Sequence, residues 1–497
     1  MSTEYTSLPH PQSHLTSLQI SESESTPSPL HSPLRGSVLL LNPPDIEEST
    51  SNADPIPLGL LSMKEYIENV GMQVSVVNLA RCKSWDAVVD EIRSLMPIAF
   101  AGITCYTRQR FSCARLASII KDITPQTLVC FGGPHATYLD SALLDHISSV
   151  DFVIRGEGEL ALADLLNILA QGATVESLAT VPGLTFRSGT QIFRNPRRSK
   201  KLDLQLFAPP VVPMSELGLT SAAESLRFHF PTLSNDPNAR IAPVISSRGC
   251  DGNCTFCCNS AFWGKQRYHT SDHVLSQVRY YYDQGVRLFD FYDDDFPRNK
   301  VNVLEFSEMI SAEGMEIAWW CSSRVDSVDE ETLIAMKRAG CFMVSYGIES
   351  GSQQILNRMN KRVTIDRIRD ACRLTRRAGL GVRATLSIGH IGESWSTIEE
   401  TNALLADIRP DQIAIFVLKV YPGTPIHHMM VRAGRLDDEY WFDEDQLIVP
   451  YFTLERSGEE LLALKNHLVH SLAAYTVRKY EYEVSSTELD LNWESVR

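Results

Sequence analysis

Three cysteines crowd one short stretch, Cys250-Asp251-Gly252-Asn253-Cys254-Thr255-Phe256-Cys257, immediately after the turn Ser247-Arg248-Gly249. Three thiolates on one loop can hold three irons of a cubane cluster and leave the fourth iron open to another ligand. A zinc knuckle uses the same residue type, so the cysteines alone leave that reading open. Further along, Tyr292-Asp293-Asp294-Asp295-Phe296 offers carboxylates that suit an ammonium in a dry site, or a solvated acidic turn. Tyr346-Gly347-Ile348-Glu349-Ser350-Gly351-Ser352 follows, and Arg324 between them can pair either with a ligand carboxylate or with nearby Asp326. Upstream, Gly132-Gly133-Pro134-His135 and Arg155-Gly156-Glu157-Gly158-Glu159 put glycines where a backbone can approach a bulky group.

Groups this far apart in sequence need rigid elements to bring them together. From Gly36 onward, apolar runs alternate with helical periodicity: Ser37 to Leu41, Gln73 to Val77, Ile98 to Thr104, Thr127 to Phe131 and Asp151 to Ile154 read as strands. That alternation predicts βαβ units on a parallel sheet, so residues 36–171 form a Rossmann-like or flavodoxin-like α/β domain. Residues 172–239 collect prolines beside the basic Arg197-Arg198-Ser199-Lys200-Lys201 and read as an inter-domain connection with one or two small strands. A second series begins at about 240 and runs to 430, with strands at Val244 to Ser247, Leu288 to Tyr292, Ile317 to Cys321, Met343 to Ile348, Val382 to Ile388 and Gln412 to Val420. Six such units predict a partial (β/α)6 TIM-like barrel, whose chemistry belongs at the carboxyl ends of its strands. Residues 431–497 read as a C-terminal helical cap and tail, and 1–35, rich in Ser and Pro, as a disordered leader.

The whole-chain numbers narrow the function. At 497 residues, 43 % hydrophobic and 22 % charged, the chain is an ordinary globular protein of two or three domains. A net charge of -15 works against binding phosphate backbones, so no nucleic-acid partner is expected. No apolar run is long enough for a membrane span, and eleven cysteines with a crowded triad suit a reducing, cytoplasmic setting.

The cysteine spacing, with an aromatic before the third Cys, resembles the radical S-adenosylmethionine (SAM) superfamily. That resemblance extends from about Ala242 to Thr424 through Ser387 to Ser394 and Tyr421-Pro422-Gly423-Thr424-Pro425 at the fifth and sixth strand ends. It implies that Cys250, Cys254 and Cys257 ligate a 4Fe-4S cluster and that Phe256 leans on the adenine of SAM. It further implies that Asp293 and Asp294 hold the SAM amino group, Arg324 its carboxylate, and Glu349 and Ser350 its ribose or amino-acid end. The first domain resembles the cobalamin-binding domain that precedes many radical SAM cores, on Leu41-Asn42-Pro43-Pro44, Gly102-Ile103-Thr104, Gly132 to Thr137 and Arg155 to Glu159. Asn42, Thr104, Tyr106, Gly132, Gly133, His135, Gly156 and Glu157 are then the expected cobalamin-facing residues. One element of the base-off pattern, Asp-x-His-x-x-Gly, is missing, and no His occurs between Gly36 and His135. Cobalt is therefore expected five-coordinate, water-capped, or approached by Tyr106 or Arg108.

These resemblances imply a cobalamin-dependent radical SAM enzyme, with a C-methyltransferase as the favoured activity and a small metabolite or natural-product intermediate as substrate. One SAM would methylate cobalamin, a second would yield the 5′-deoxyadenosyl radical, and an electron donor such as flavodoxin or ferredoxin would supply reducing power. Oxidative ring closure, as in the cyclase of chlorophyll synthesis, is the alternative, and a non-catalytic cobalamin or redox sensor is a third. The other cysteines form no second cluster motif, which disfavours a methylthiotransferase.

Overall fold

The computed structural model describes residues 36–46, 57–199, 201–207, 209–214, 217, 240–446, 449–450 and 453–473. The expected leader over 1–35, residues 218–239 of the proline-rich stretch and the tail beyond 473 lie outside the described residues.

In the first sheet, β1 (Ser37–Asn42), β2 (Ser75–Asn78), β3 (Ile98–Thr104), β4 (Leu128–Gly132) and β5 (Phe152–Ile154) are parallel, in the spatial order β2-β1-β3-β4-β5. Their apolar runs are near-continuous because both faces are covered. Leu39, Leu41, Ile103 and Phe131 face the helices Trp85–Ser94, Arg110–Ile123 and Asp140–His146. Leu40, Phe100, Cys130 and Phe152 face the helices Leu58–Asn69 and Glu159–Ala170. This order is the flavodoxin-like one of the two expected, and its direction reverses between β1 and β3, where open parallel sheets bind ligands. Two short strands of the expected connection, β6 (Leu184–Ser188) and β7 (Gln191–Arg194), pair antiparallel onto β5 and extend the sheet.

The second unit opens with β8 (Ile241–Val244). It ends at Val244 rather than Ser247, because β9 (Ser247–Arg248) leaves the sheet to pair with β10 (Arg267–Tyr268). The parallel sheet continues through β11 (Leu288–Phe291), β12 (Ala318–Ser323), β13 (Cys341–Glu349), β14 (Gly381–Ile388) and β15 (Gln412–Val417), each beside its predecessor. Among the described residues β8 and β15 do not pair, so the six-stranded βα series is open rather than a closed barrel. Five of the intervening helices start with a side chain that caps an orphan N–H: Thr270, Asn299, Asp329, Thr364 and Ser394. Such caps contribute about 1 kcal/mol each. They fix where each chain turns back from the strand ends that carry the motifs.

The C-terminal region splits. The helix Gly458–Ala473 packs against β14, β15 and the helix Trp395–Ile408 through Leu461, Leu464, Leu468 and Leu472. Before it, Trp441 joins the hydrophobic core on the first sheet, and the Arg110 guanidinium donates to its carbonyl at 3.1 Å. One segment thus touches both units.

Candidate functional site

The cysteine loop leaves β9 and is tied to the segments that follow β13, β14 and β15. The Thr255 N–H donates to the Met359 carbonyl at 2.9 Å, the Ile426 N–H to the Thr255 carbonyl at 3.0 Å, and Thr255 Oγ1 lies 2.7 Å from His390 Nε2. Backbone N–H groups reach two sulfurs, Gly252 to Cys250 at 3.3 Å and Asn259 to Cys257 at 3.4 Å. Burial pushes the Cys257 thiol up to about 12 and raises that of Cys250, so a thiolate in either place needs a cation beside it. Among the described residues no three Cys, His, Asp or Glu side chains converge on a single metal ion. The three sulfurs share one loop without being gathered around one point, and their donor chemistry fits an iron–sulfur cluster. Phe256 packs beside Leu418, Val420 and Ile426 and lines a cavity.

The three aspartates after β11 divide. Asp293 is buried and turned inward, accepting from the Ser246 hydroxyl at 2.8 Å and from Ser247. Asp295 accepts from the Arg324 N–H at 3.0 Å and the Ser327 hydroxyl at 2.6 Å. Asp294 lines a cavity, beside the Asn259 amide. Burial pushes the carboxyls of Asp293 and Asp294 up to about 6. Arg324 is already engaged: its Nε meets Asp326 at 2.9 Å, its Nη2 donates to the Lys361 carbonyl at 2.7 Å, and its Nη1 is 4.0 Å from Cys254 Sγ. Of its two expected partners, the structure pairs it with Asp326.

At the end of β13, Glu349 takes a left-handed backbone (φ 67°), lines a cavity and binds buried Lys361 at 2.8 Å. Burial opposes the charge on Lys361, yet Glu349 and the nearby Cys254 raise its pKa. Ser350, expected beside Glu349 at SAM, is fully buried against Thr401 and Ser352 and lines neither cavity described below.

Two cavities lie where the sheets' carboxyl ends meet. The smaller, about 350 Å³, is lined by Thr104, Tyr106, Gly132, Gly133, Gly156 and Glu157 from the first unit and by Arg248, Asn259, Tyr292 and Asp294 from the second. Gly133 has φ +92°, and a Cβ there would sit 3.0 Å from the Cys105 carbonyl; Gly156 has φ +79°, and a Cβ there would enter open space. Such a glycine cradle fits a bulky cofactor group. The larger cavity, about 980 Å³, gathers Asn42, Thr104, Tyr106 and Arg108 with Phe256, Glu349, Tyr421 and Lys465. Tyr106 and Tyr292 are 52 % and 57 % exposed, and both line the two cavities, so that surface is inner wall. Burial raises both phenols, that of Tyr292 to about 12.

Two expected cofactor residues have other work. His135 is 1 % exposed and lies in neither wall; its Nδ1 is 3.3 Å from Thr107 Oγ1 and its ring meets Trp441 edge-on at 5.9 Å. Burial pushes its imidazole down to about 3. Glu157 lines the smaller cavity but also pairs with Arg267, while Glu159 binds Arg248 at 2.7 Å, tying the two units together. The sequence does not single out Arg248, Lys361, Asn259 and Tyr292 as site residues; Arg248, Asn259 and Tyr292 stand in or beside its motifs, whereas Lys361 lies nine positions beyond Ser352.

Residues 49–166 match the B12 binding domain, and residues 244–405 match the Radical SAM superfamily. The chain is similar to an uncharacterized methyltransferase of Pyrococcus horikoshii, 28 % identical over 412 residues that cover 81 % of this chain and 85 % of that one. It is also similar to an anaerobic magnesium-protoporphyrin IX monomethyl ester cyclase of Cereibacter sphaeroides, 26 % identical over 349 residues, covering 69 % of this chain and 55 % of that one. Its fold matches the radical SAM methyltransferase TsrM of Kitasatospora setae, solved with cobalamin and a 4Fe-4S cluster, with a TM-score of 0.67, 18 % identity and 88 % of each chain covered. The chain carries a B12-binding domain followed by a radical SAM domain. It is a cobalamin-dependent radical SAM enzyme, whose cofactors are a 4Fe-4S cluster, SAM and cobalamin.

Proposed function

We propose that this enzyme transfers a methyl group to a carbon of a small metabolite or natural-product intermediate. The observation that carries the proposal is the shared wall of the larger cavity, where Asn42, Thr104 and Tyr106 of the B12-binding domain stand opposite Phe256 and Glu349 of the radical SAM domain. When bound, the cofactors supply one-electron cleavage of SAM and methyl transfer through cobalt. The chain supplies position and exclusion of water.

In this reading Cys250, Cys254 and Cys257 hold the cluster, and Phe256 takes the adenine of SAM. Glu349, fixed by Lys361, faces the ribose or amino-acid end, and Asp294 rather than Asp293 serves the SAM amino group. Thr104, Tyr106, Gly132, Gly133 and Gly156 face cobalamin. The methyl-transfer reading is also supported by relatives named methyltransferases that are matched over most of their length, 85 % for the Pyrococcus protein and 83 % for the cytidylyl-2-hydroxyethylphosphonate methyltransferase of Streptomyces wedmorensis. Ring closure without methyl transfer is the second reading, supported by the cyclase of Cereibacter sphaeroides. A reducing cytoplasm suits the eleven free thiols, and a small electron-transfer protein is the expected reductant. No helix among the described residues is long and apolar enough to cross a membrane.

The test is to incubate the reduced holoenzyme with methyl-labelled SAM and fractionated small-molecule extract. Label in a new product together with 5′-deoxyadenosine supports methyl transfer. An unlabelled new product with 5′-deoxyadenosine moves the reading to ring closure, and absence of 5′-deoxyadenosine overturns both.

A further inference from the structure

The guanidinium of Arg324 is held by the protein on two sides, and its remaining nitrogen reaches the cysteine loop. Its Nε meets Asp326 Oδ1 at 2.9 Å, and its Nη2 lies 3.3 Å from Asp326 Oδ2 and donates to the Lys361 carbonyl at 2.7 Å. The Arg324 backbone N–H is fixed as well, donating to Asp295 at 3.0 Å. Nη1 is left, and it reaches Cys254 Sγ at 4.0 Å. The loop makes room for this approach at Gly252, where a Cβ would lie 3.0 Å from Nη1 and 3.3 Å from Cys250 Sγ. The guanidinium therefore passes over the one residue between the first two cysteines that has no side chain.

Recognising the SAM carboxylate would ask for a free fork of N–H donors facing the cofactor space. Arg324 offers neither: its fork is engaged, and it lines neither cavity, whereas Asp294, Phe256 and Glu349 line one or the other. Arg324 and Cys254 are 8 % and 7 % exposed, so the charge beside the sulfur is weakly screened, while the Asp326 side chain is one-third exposed. Cys250 lies in the field of Asp294 and Asp295 as well as of Arg324, so the guanidinium is what offsets two carboxylates at this loop. We infer that Arg324 serves the cluster rather than the SAM carboxylate, as a fixed positive charge and N–H donor at Cys254 that favours the reduced cluster. Reduction takes one electron from the one-electron donor and makes the cluster more negative, and charge and hydrogen bonds at the sulfurs set its potential. This rests on Cys250, Cys254 and Cys257 holding the cluster, as proposed above.

The test is a redox titration followed by low-temperature EPR on holoenzyme carrying cluster and cobalamin but no SAM, for the wild type, Arg324→Gln and Arg324→Lys. Arg324→Gln is expected to lower the ratio of reduced to oxidised cluster at a fixed potential by at least about tenfold, which for one electron is about 59 mV. Arg324→Lys keeps the charge and should recover part of that loss. SAM affinity, measured by equilibrium dialysis on the oxidised enzyme, should not change in either variant. A potential unchanged in Arg324→Gln, or lowered equally in Arg324→Lys, overturns the inference. Loss of SAM affinity in Arg324→Gln overturns it whatever the potential does, by returning Arg324 to the SAM carboxylate. Should the Gln variant take up no iron, pulsed EPR of the reduced wild type grown on nitrogen-labelled arginine decides: a coupling of labelled nitrogen to the cluster that disappears in Arg324→Lys is expected, and its absence from the wild type overturns the inference. Failure of the cysteine assignment would show separately, as wild-type protein that takes up no cluster.

Discussion

His135 follows Pro134, which lines both cavities, yet its own ring turns away from them and packs against Trp441. Position on a cofactor loop does not settle which way a side chain points, and the partner that decides it lies about 300 residues further on, beyond the reach of any local pattern. The buried imidazole is held neutral, its pKa lowered to about 3, while in the unfolded chain it returns to its ordinary value of about 6.5. Above that value both states are neutral. As the pH falls below it, only the unfolded state gains a proton, so stability is lost progressively down to about pH 3. Between pH 7 and pH 5 the loss from this group is expected to be about 2 kcal/mol. Urea unfolding of the wild type and of His135→Leu at both pH values checks this: the variant should lose less on acidification, and parallel losses would contradict the assignment. Ser350 shows the same limit at one residue's spacing. Glu349 beside it reaches the cavity through a left-handed backbone, and its neighbour is thereby turned into the core.

At the scale of elements, strands that the sequence marks with apolar runs occur where expected, because burial on both faces of a parallel sheet demands such runs. What was not legible depended on pairing. β6 and β7 look like pieces of a connection until β5 is there to receive them, and β9 looks like the end of β8 until β10 draws it away. The helix Trp85–Ser94 buries Val88 and Ile92, four residues apart on one face. The ion pairs that join the two units are equally non-local. Arg248, one turn before the cysteines, binds Glu159 at the start of the helix Glu159–Ala170, and both side chains are less than one-tenth exposed. Removing one partner strands a buried charge, so Arg248→Leu is expected to cost about 3–5 kcal/mol and to lower cobalamin retention. Combined with Glu159→Leu, much of the stability should return, because no lone charge is left behind. Strictly additive losses in the double variant would contradict a direct pair.

Over the whole molecule, the two sheets present their carboxyl ends to common cavities, and the C-terminal segment bridges them by placing Trp441 in one core and Leu464 in the other. The cysteine triad was legible because chelation needs particular residue types at particular spacing, and the glycine loops because close backbone approach tolerates no Cβ. The division of the space between cofactors and substrate was not, since it arises only when β15, the C-terminal helix and the first domain meet. The central claim is that one chain binds a cluster through Cys250, Cys254 and Cys257 and cobalamin through a separate domain facing it. The most direct measurement is iron, sulfide and cobalamin content of protein purified without oxygen from cobalamin-fed cells, beside a variant with all three cysteines changed to Ala. About four irons and one cobalamin per chain are expected for the wild type, with iron lost and cobalamin kept in the variant. Wild-type protein with iron but no cobalamin, or a variant that keeps its iron, would contradict the account.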